Sequence, residues 1–158
     1  MINSNFRQIA RLCLFCLSIS LLTGCGRDAS IAQVDGIVEL DGAPLAKFDN
    51  AAVVFTPRAG RLATSVIDRN GRFQLQTNGI GEGAAIGEAK ITVSATIERP
   101  KSSVSDERYD PVVWVIPRRF GDADRSGLSC KVVAGKLNSF KISLSSDGTG
   151  SVEILQKE

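Results

Sequence analysis

Residues 62–77 read LATSVIDRNGRFQLQT, and they give the clearest indication of fold class in the chain. The central residues 68–71, Asp-Arg-Asn-Gly, have the composition of a tight turn, because Asn and Gly tolerate backbone conformations that other residues avoid. Phe73 and Leu75 then alternate with polar residues, which gives a strand one apolar face. Residues 62–67 have strand composition too. The stretch therefore predicts a β-hairpin.

Short strands and turns continue in both directions from this hairpin. Residues 112–116 form an apolar run between two prolines, which predicts either an edge strand or a hydrophobic plug at one end of the fold. A second hairpin is predicted from residues 128–144 around Gly135. No segment after the first 25 residues shows helical periodicity. The pattern predicts an all-β fold: a seven- or eight-stranded antiparallel β-sandwich that follows a cleaved signal peptide. The other predicted strands are 34–40, 51–56, 88–95 and 151–155.

The N-terminal segment has the layout of an export signal. A polar start with Arg7 and Arg11 precedes an apolar run over residues 12–22. This run is too short to span a bilayer, which takes about 20 residues, but it suits the apolar region of a secretory signal. We therefore predict a signal peptide over residues 1–24, a polar tether over 25–33 and a β-sandwich domain over 34–158.

Leu22-Thr23-Gly24-Cys25, at the end of this signal, resembles the lipobox of bacterial lipoproteins. In that family a diacylglycerol is attached to the Cys sulfur, and the signal is cut just before the Cys. The resemblance implies lipidation of Cys25. It also implies a place in the cell envelope, on a membrane that faces the periplasm or the exterior, with inner and outer membrane both open. The alternatives are a plain cleaved signal and a short buried helix that contains a Cys by chance.

Residues 34–45, VDGIVELDGAPL, resemble the opening of carboxypeptidase regulatory-like domains, which have a transthyretin-like (prealbumin-like) sandwich. Residues 55–57, 68–73 and 87–93 are similar to later landmarks of that family, in the same order. Ala89 stands where the family usually has an aromatic residue. The likeness covers residues 34–145. It implies a non-catalytic accessory or interaction module, and it brings no functional residues with it.

Composition and charge narrow the function classes. The chain has no His, so it lacks the commonest general base and metal ligand, and we do not expect an enzyme. Two of the 19 basic residues, Arg7 and Arg11, lie in the predicted signal, which leaves 17 basic and 17 acidic residues in the rest. A neutral domain has no electrostatic basis for nucleic-acid binding.

Two groups of residues are candidate binding sites. Asp122, Asp124 and Ser126 have the spacing of the start of a calcium loop, but no Glu stands at its twelfth position. A capped surface turn is the favoured interpretation, and no metal is predicted. Trp114 and Tyr109 could form a stacking platform for a sugar, although a packing lid is the more common role of such aromatics.

The remaining cysteines predict no redox site. Cys13 and Cys16 form a CxxC motif inside the predicted signal, where it would be discarded. Cys130 lies in an alternating apolar segment, and we expect a small buried hydrophobic residue there rather than a reactive thiol.

Taken alone, the sequence favours a membrane-anchored, non-catalytic β-sandwich that acts as an interaction or scaffold module of the cell envelope. The expected partners are the membrane, through the lipid, and envelope proteins or glycans; no cofactor is expected. The alternative is a module that binds carbohydrate or another small ligand.

Overall fold

Two β-sheets face each other across one apolar core in the computed structural model, which describes residues 31–45, 50–98 and 112–155. The longest strand, Gly87–Glu98, shows why these residues form sheets. Its apolar residues alternate with polar ones, so that one face is buried while the other meets solvent. The prediction of an all-β fold is confirmed. The inward-facing residues of this strand are Ala89, Ile91, Val93 and Ala95.

The described residues form fourteen strand segments and one short 3₁₀ helix, Arg118–Gly121. In chain order the strands are β1 (Ile31–Ala32), β2 (Val34–Leu40), β3 (Ala43–Pro44), β4 (Asn50–Pro57), β5 (Ala63–Val66), β6 (Arg72–Gln74), β7 (Gln76–Thr77), β8 (Gly81–Glu82), β9 (Ala84–Ala85), β10 (Gly87–Glu98), β11 (Val112–Trp114), β12 (Leu128–Val132), β13 (Asn138–Leu144) and β14 (Gly150–Ile154).

The first sheet has the order β14-β13-β2, and both β3 and β6 pair with the remaining edge of β2. The second sheet has the order β10-β4-β5-β7-β8, and both β11 and β12 pair with the outer edge of β10. β1 pairs with β9 next to the start of β2. We call the end of the sandwich where β2, β10 and β13 begin the proximal end.

One strand pair departs from the antiparallel prediction. β2 and β13 run parallel over seven residue pairs, from Val34 opposite Asn138 to Leu40 opposite Leu144. Parallel neighbours need a connection that crosses the fold, because a tight hairpin can join only antiparallel strands. The chain makes this connection by way of the second sheet, and so β13 reaches β2 from the opposite side of the core.

The predicted hairpin over residues 62–77 forms only in part. Its turn is present, since Asp68 Oδ1 accepts hydrogen bonds from the backbone N–H groups of Asn70 (2.7 Å) and Arg72 (2.8 Å). The returning strand, however, is divided at the buried Leu75, whose N–H donates to the carbonyl of Val34. β6 joins β2 in the first sheet, and only β7 pairs with β5. This segment is a corner that links the two sheets.

The second predicted hairpin, over residues 128–144, is wrong. β12 pairs with β10 in the second sheet, whereas β13 pairs with β2 in the first. The buried Asn138 closes the link between them: its Oδ1 accepts from Val133 N–H (2.8 Å), and its Nδ2 donates to the carbonyls of Val133 (2.9 Å) and Lys136 (3.1 Å). These bonds satisfy the backbone where the ladder of a hairpin is missing.

Three further features either decide between alternatives that the sequence left open or differ from its predictions. Residues 112–116 give both predicted features, because β11 is an edge strand and Ile116 is buried. The strand segments outnumber the predicted seven or eight, since the chain bends at Leu75 and the glycine-rich residues 78–87 add β8 and β9. Residues 31–33 of the predicted tether already belong to the fold.

A cluster of three phenylalanines holds the sheets together. Phe73 and Phe140 flank Gly36 in the first sheet, and Phe55 reaches them from the second. The ring centroid of Phe55 lies 5.9 Å from that of Phe140 and 6.2 Å from that of Phe73, within the range of favourable aromatic pairs. A Cβ at Gly36 would lie 2.2 Å from the carbonyl oxygen of Phe140 and 2.6 Å from Cζ of Phe73. The Phe73 ring and the Phe140 backbone occupy the space that Gly36 leaves.

Replacing Gly36 with alanine is expected to destabilise the fold by about 2–3 kcal/mol or more, because the Phe140 backbone cannot move away from the new methyl group. Gly135→Ala is the control. There a Cβ meets nothing within 4 Å, and only a φ of +74° opposes the change, at an expected cost of about 1 kcal/mol. Urea denaturation measures both. Equal losses in the two variants would contradict the steric explanation.

Candidate functional site

The predicted signal peptide over residues 1–24 and two candidate site residues, Cys25 and Tyr109, lie outside the described residues. The described chain begins at Ile31, six residues after Cys25, and goes directly into β1. β1 is fixed to the proximal end by pairing with Ala84–Ala85. At Gly83, just before β9, a Cβ would lie 2.3 Å from the carbonyl oxygen of Ala32, so the two backbones are in close contact. The chain thus joins the sandwich at a well-defined point.

Trp114 ends the edge strand β11 and packs, partly buried, against the core. Its ring lies over Gly121 at the end of the 3₁₀ helix, where a Cβ would come within 2.6 Å of Cη2. The neighbouring Phe120 is fully buried. Trp114 therefore acts as a packing lid over this side of the sandwich. The stacking platform that it could form with Tyr109 stays a prediction.

In the turn that resembles a calcium loop, the side-chain oxygens of Asp122, Asp124 and Ser126 each contact a different partner. Asp122 Oδ1 accepts from the backbone N–H of Asp124 (2.8 Å). The Asp124 carboxylate contacts Lys90 Nζ at 2.6 Å, and the buried Ser126 accepts from Leu128 N–H through Oγ (3.2 Å). No group of three metal-type ligands occurs within residues 31–45, 50–98 and 112–155. The geometry is that of a capped surface turn.

Ion pairs line a shallow groove of about 570 Å³ on the outer face of the second sheet. Lys90 contacts Asp124 as described, and Arg58 contacts Glu88 at 2.9 Å. The hydrogen bond from Lys90, and secondly its positive charge, lower the pKa of Asp124 from its usual 3.8. All four side chains are more than half exposed, so these pairs contribute little to stability.

A second groove, of about 510 Å³, lies where β6 of the first sheet meets β5 of the second. Sequence patterns gave no sign of it, because it depends on how the two sheets meet. Its polar groups bind one another: Ser139 Oγ donates to Asp35 Oδ1 (2.5 Å), and Ser65 Oγ accepts from Gln74 N–H (3.1 Å). The first of these bonds joins two strands of the first sheet, and the second joins the two sheets along the groove.

Turns at the end opposite the proximal end are held by aspartates. Asp41, at a φ of +51°, accepts hydrogen bonds from the side chain and the backbone of Ser146, which lower its pKa. The backbone N–H of Thr149, followed by its hydroxyl, lowers the pKa of Asp147 in the same way. These carboxylates stabilise loops.

Cys130 is a free cysteine on β12, partly buried on the core side. Burial raises the pKa of its thiol from 9.0 to about 12, because the apolar surroundings disfavour the thiolate. The sulfur is therefore protonated and inert at neutral pH. This agrees with the expectation of a small hydrophobic residue.

Comparison with known proteins gives no match: no family model fits the chain, and no curated protein or solved structure is significantly similar to it. Within the described residues, no helix has the length and apolar character needed to cross a membrane.

The raised pKa of Cys130 predicts that its thiol is alkylated slowly in the folded protein. At pH 8 a thiol with a pKa of about 12 is roughly 1 in 10,000 thiolate, against about 1 in 10 for one at 9.0. In a chain whose only cysteine is Cys130, alkylation by iodoacetamide should be at least about 100-fold slower in the folded than in the urea-unfolded state. Mass spectrometry follows the reaction. Similar rates in both states would show an exposed, reactive thiol.

Acid should weaken the fold through the aspartates with lowered pKa values. Asp41, Asp124 and Asp147 titrate below 3.8 in the folded chain. Their contribution to the free energy of unfolding is present above the pKa of the unfolded state, and it is lost as the pH falls through the lower pKa of the folded state. Asp124→Asn keeps the shape but does not titrate. It should therefore lose slightly less stability than the unchanged protein between pH 6 and pH 3 in urea denaturation. An equal or larger loss would show that Asp124 has no such role.

Proposed function

We propose that this chain is a bacterial lipoprotein whose lipid anchor holds a transthyretin-like or Ig-like β-sandwich at a membrane of the cell envelope. The sandwich acts there as a non-catalytic interaction or scaffold module. The order of features in the first 25 residues carries the proposal: a basic start, an apolar run too short to span a bilayer, two small residues and then Cys25. The thiolate of Cys25 takes the lipid, and two or three acyl chains give lasting attachment where one chain would not.

The short distance between Cys25 and the fold supports this anchoring. Six residues separate Cys25 from β1 at Ile31. Even fully extended, six residues reach only about 20 Å. A lipid on Cys25 would therefore hold the sandwich close to the bilayer surface, where its contacts are restricted to neighbours in the same envelope layer.

The surface chemistry supports contact rather than catalysis. Every buried side-chain nitrogen or oxygen of the described residues has a hydrogen-bond partner. The aspartates described above cap turns or pair with lysine, and the Cys130 thiol is protonated. Side chains committed in this way act as structural groups, whereas catalysis needs polar groups that are poised for a substrate.

The alternative function, binding of a carbohydrate or another small ligand, gains no support from Trp114. A sugar platform needs an open aromatic face, whereas the Trp114 side chain is partly buried against the core and its ring lies against Gly121. A glycan array with the protein and its Trp114→Ala variant tests this alternative. Binding that is lost in the variant would replace the scaffold proposal.

Replacing Cys25 tests the anchor directly. Expressed in a bacterial host, the unchanged protein should incorporate labelled palmitate and sediment with membranes, and Cys25→Ala should lose both properties. Cys130→Ala is the matched control and should keep both, because its thiol lies within the fold. Mass spectrometry that finds residue 25 unmodified in the processed protein would refute the proposal.

Cross-linking in intact envelopes tests the interaction role. The anchored protein should form discrete cross-linked products with envelope neighbours, and these products should disappear in the Cys25→Ala variant. Products that persist in the released form would mean that binding does not depend on the anchor.

A further inference from the structure

Three large apolar side chains are exposed at the proximal end. They belong to the eight large apolar residues that are clearly exposed among the described residues. Pairing places them there: Leu62 precedes β5, Val133 follows the end of β12, which pairs with Gly87, and Leu137 precedes Asn138 opposite Val34. Ile154 and Leu155, which lie opposite Phe140 and Ser139, are exposed further along the sandwich.

Basic side chains surround these apolar residues. The segments that form the proximal end, 31–33, 58–62, 76–88 and 131–137, carry four basic and two acidic residues, a difference of two positive charges. Both acids already have partners, since Glu88 contacts Arg58 at 2.9 Å and Glu82 accepts from Gln74 (3.3 Å). Lys131 and Lys136 are exposed beside Val133 and Leu137. The turns at the opposite end, residues 41–45, 68–71 and 145–149, carry three aspartates and one arginine, and the Arg119 side chain lies against Gly148.

The chain also enters the sandwich at this end. Ile31 and Ala32 pair with β9, and Gln33 accepts from the backbone N–H of Asn138 through its carbonyl (2.9 Å). Any group attached to Cys25 is therefore within about 20 Å of the proximal end. The twelve-residue strand β10 extends about 40 Å along the sandwich, so the opposite end lies beyond the reach of such a tether in an upright molecule.

From the coincidence of these three features we propose that the proximal end is a membrane-contacting surface, and that Leu62, Val133 and Leu137 rest in the lipid interface. This inference rests on the proposed lipidation of Cys25. Apolar side chains gain by entering the boundary between headgroups and acyl chains, while Lys and Arg keep their charged ends at the headgroups. The sandwich then stands upright, and the aspartate-rich turns and β11 face away from the membrane toward partners.

Fluorescence quenching by lipids tests this orientation in the full lipidated protein. With Cys130 replaced by Ala, a single cysteine is placed at Leu137 or at Ile97 and labelled with a polarity-sensitive fluorophore. Ile97 is the matched control: it is 43 % exposed, as Leu137 is, but it lies near the end of β10 that is opposite the proximal end. The protein is then incorporated into phosphatidylcholine–phosphatidylglycerol vesicles that contain brominated lipid.

Quenching at position 137 should exceed that at position 97 at least about twofold, because interfacial groups lie about 5–10 Å inside the headgroup boundary. Leu62→Cys should behave like Leu137→Cys, which guards against a local effect of one substitution. Equal quenching at both ends, with the protein still floating with the vesicles, would overturn the orientation alone. A lipidated preparation that fails to float with vesicles would overturn the anchoring proposal and the orientation with it.

Discussion

The structure depends on contact between the two sheets at Phe55, Phe73 and Phe140. A sheet is stable in water only when its apolar face is covered, and here each sheet covers the other. Gly36 makes this contact close, since its missing side chain leaves room for the Phe73 ring and the backbone of Phe140. The alternating burial of β10 extends the same contact along the sandwich.

The need to complete both sheets around this core explains the unusual connections. The chain changes sheets at Leu75 and again between β12 and β13, so that both segments predicted as hairpins link the sheets instead. Each crossing leaves backbone groups without a ladder partner, and polar side chains replace those partners. Asn138 does so at one crossing, and Ser65, which accepts from Gln74 N–H, does so at the other.

Anchoring and architecture reinforce each other in the function that we propose. A lipid on Cys25 fixes one point of the molecule, and the pairing of β1 with β9 transmits that constraint to a rigid body. The apolar and basic residues of the proximal end would then settle on the bilayer, which leaves the turns held by Asp41, Asp68 and Asp147 available to the envelope. In this arrangement function arises from position and exposed surface.

Much of the local structure follows from the sequence alone. Alternation identified the β class and most strand positions, and turn chemistry identified the turn at residues 68–71, because these patterns act over a few neighbouring residues. The capped surface turn at Asp122 could also be predicted, since its hydrogen bonds join residues close together in the chain. The sequence did not predict which strands pair. Alternation shows which face of a strand is buried, but it carries no information about which strand lies beside it. The parallel pairing of β2 with β13, the covering of Gly121 by Trp114 and the gathering of apolar residues at the proximal end join residues far apart in the chain, and only tertiary packing brings them together.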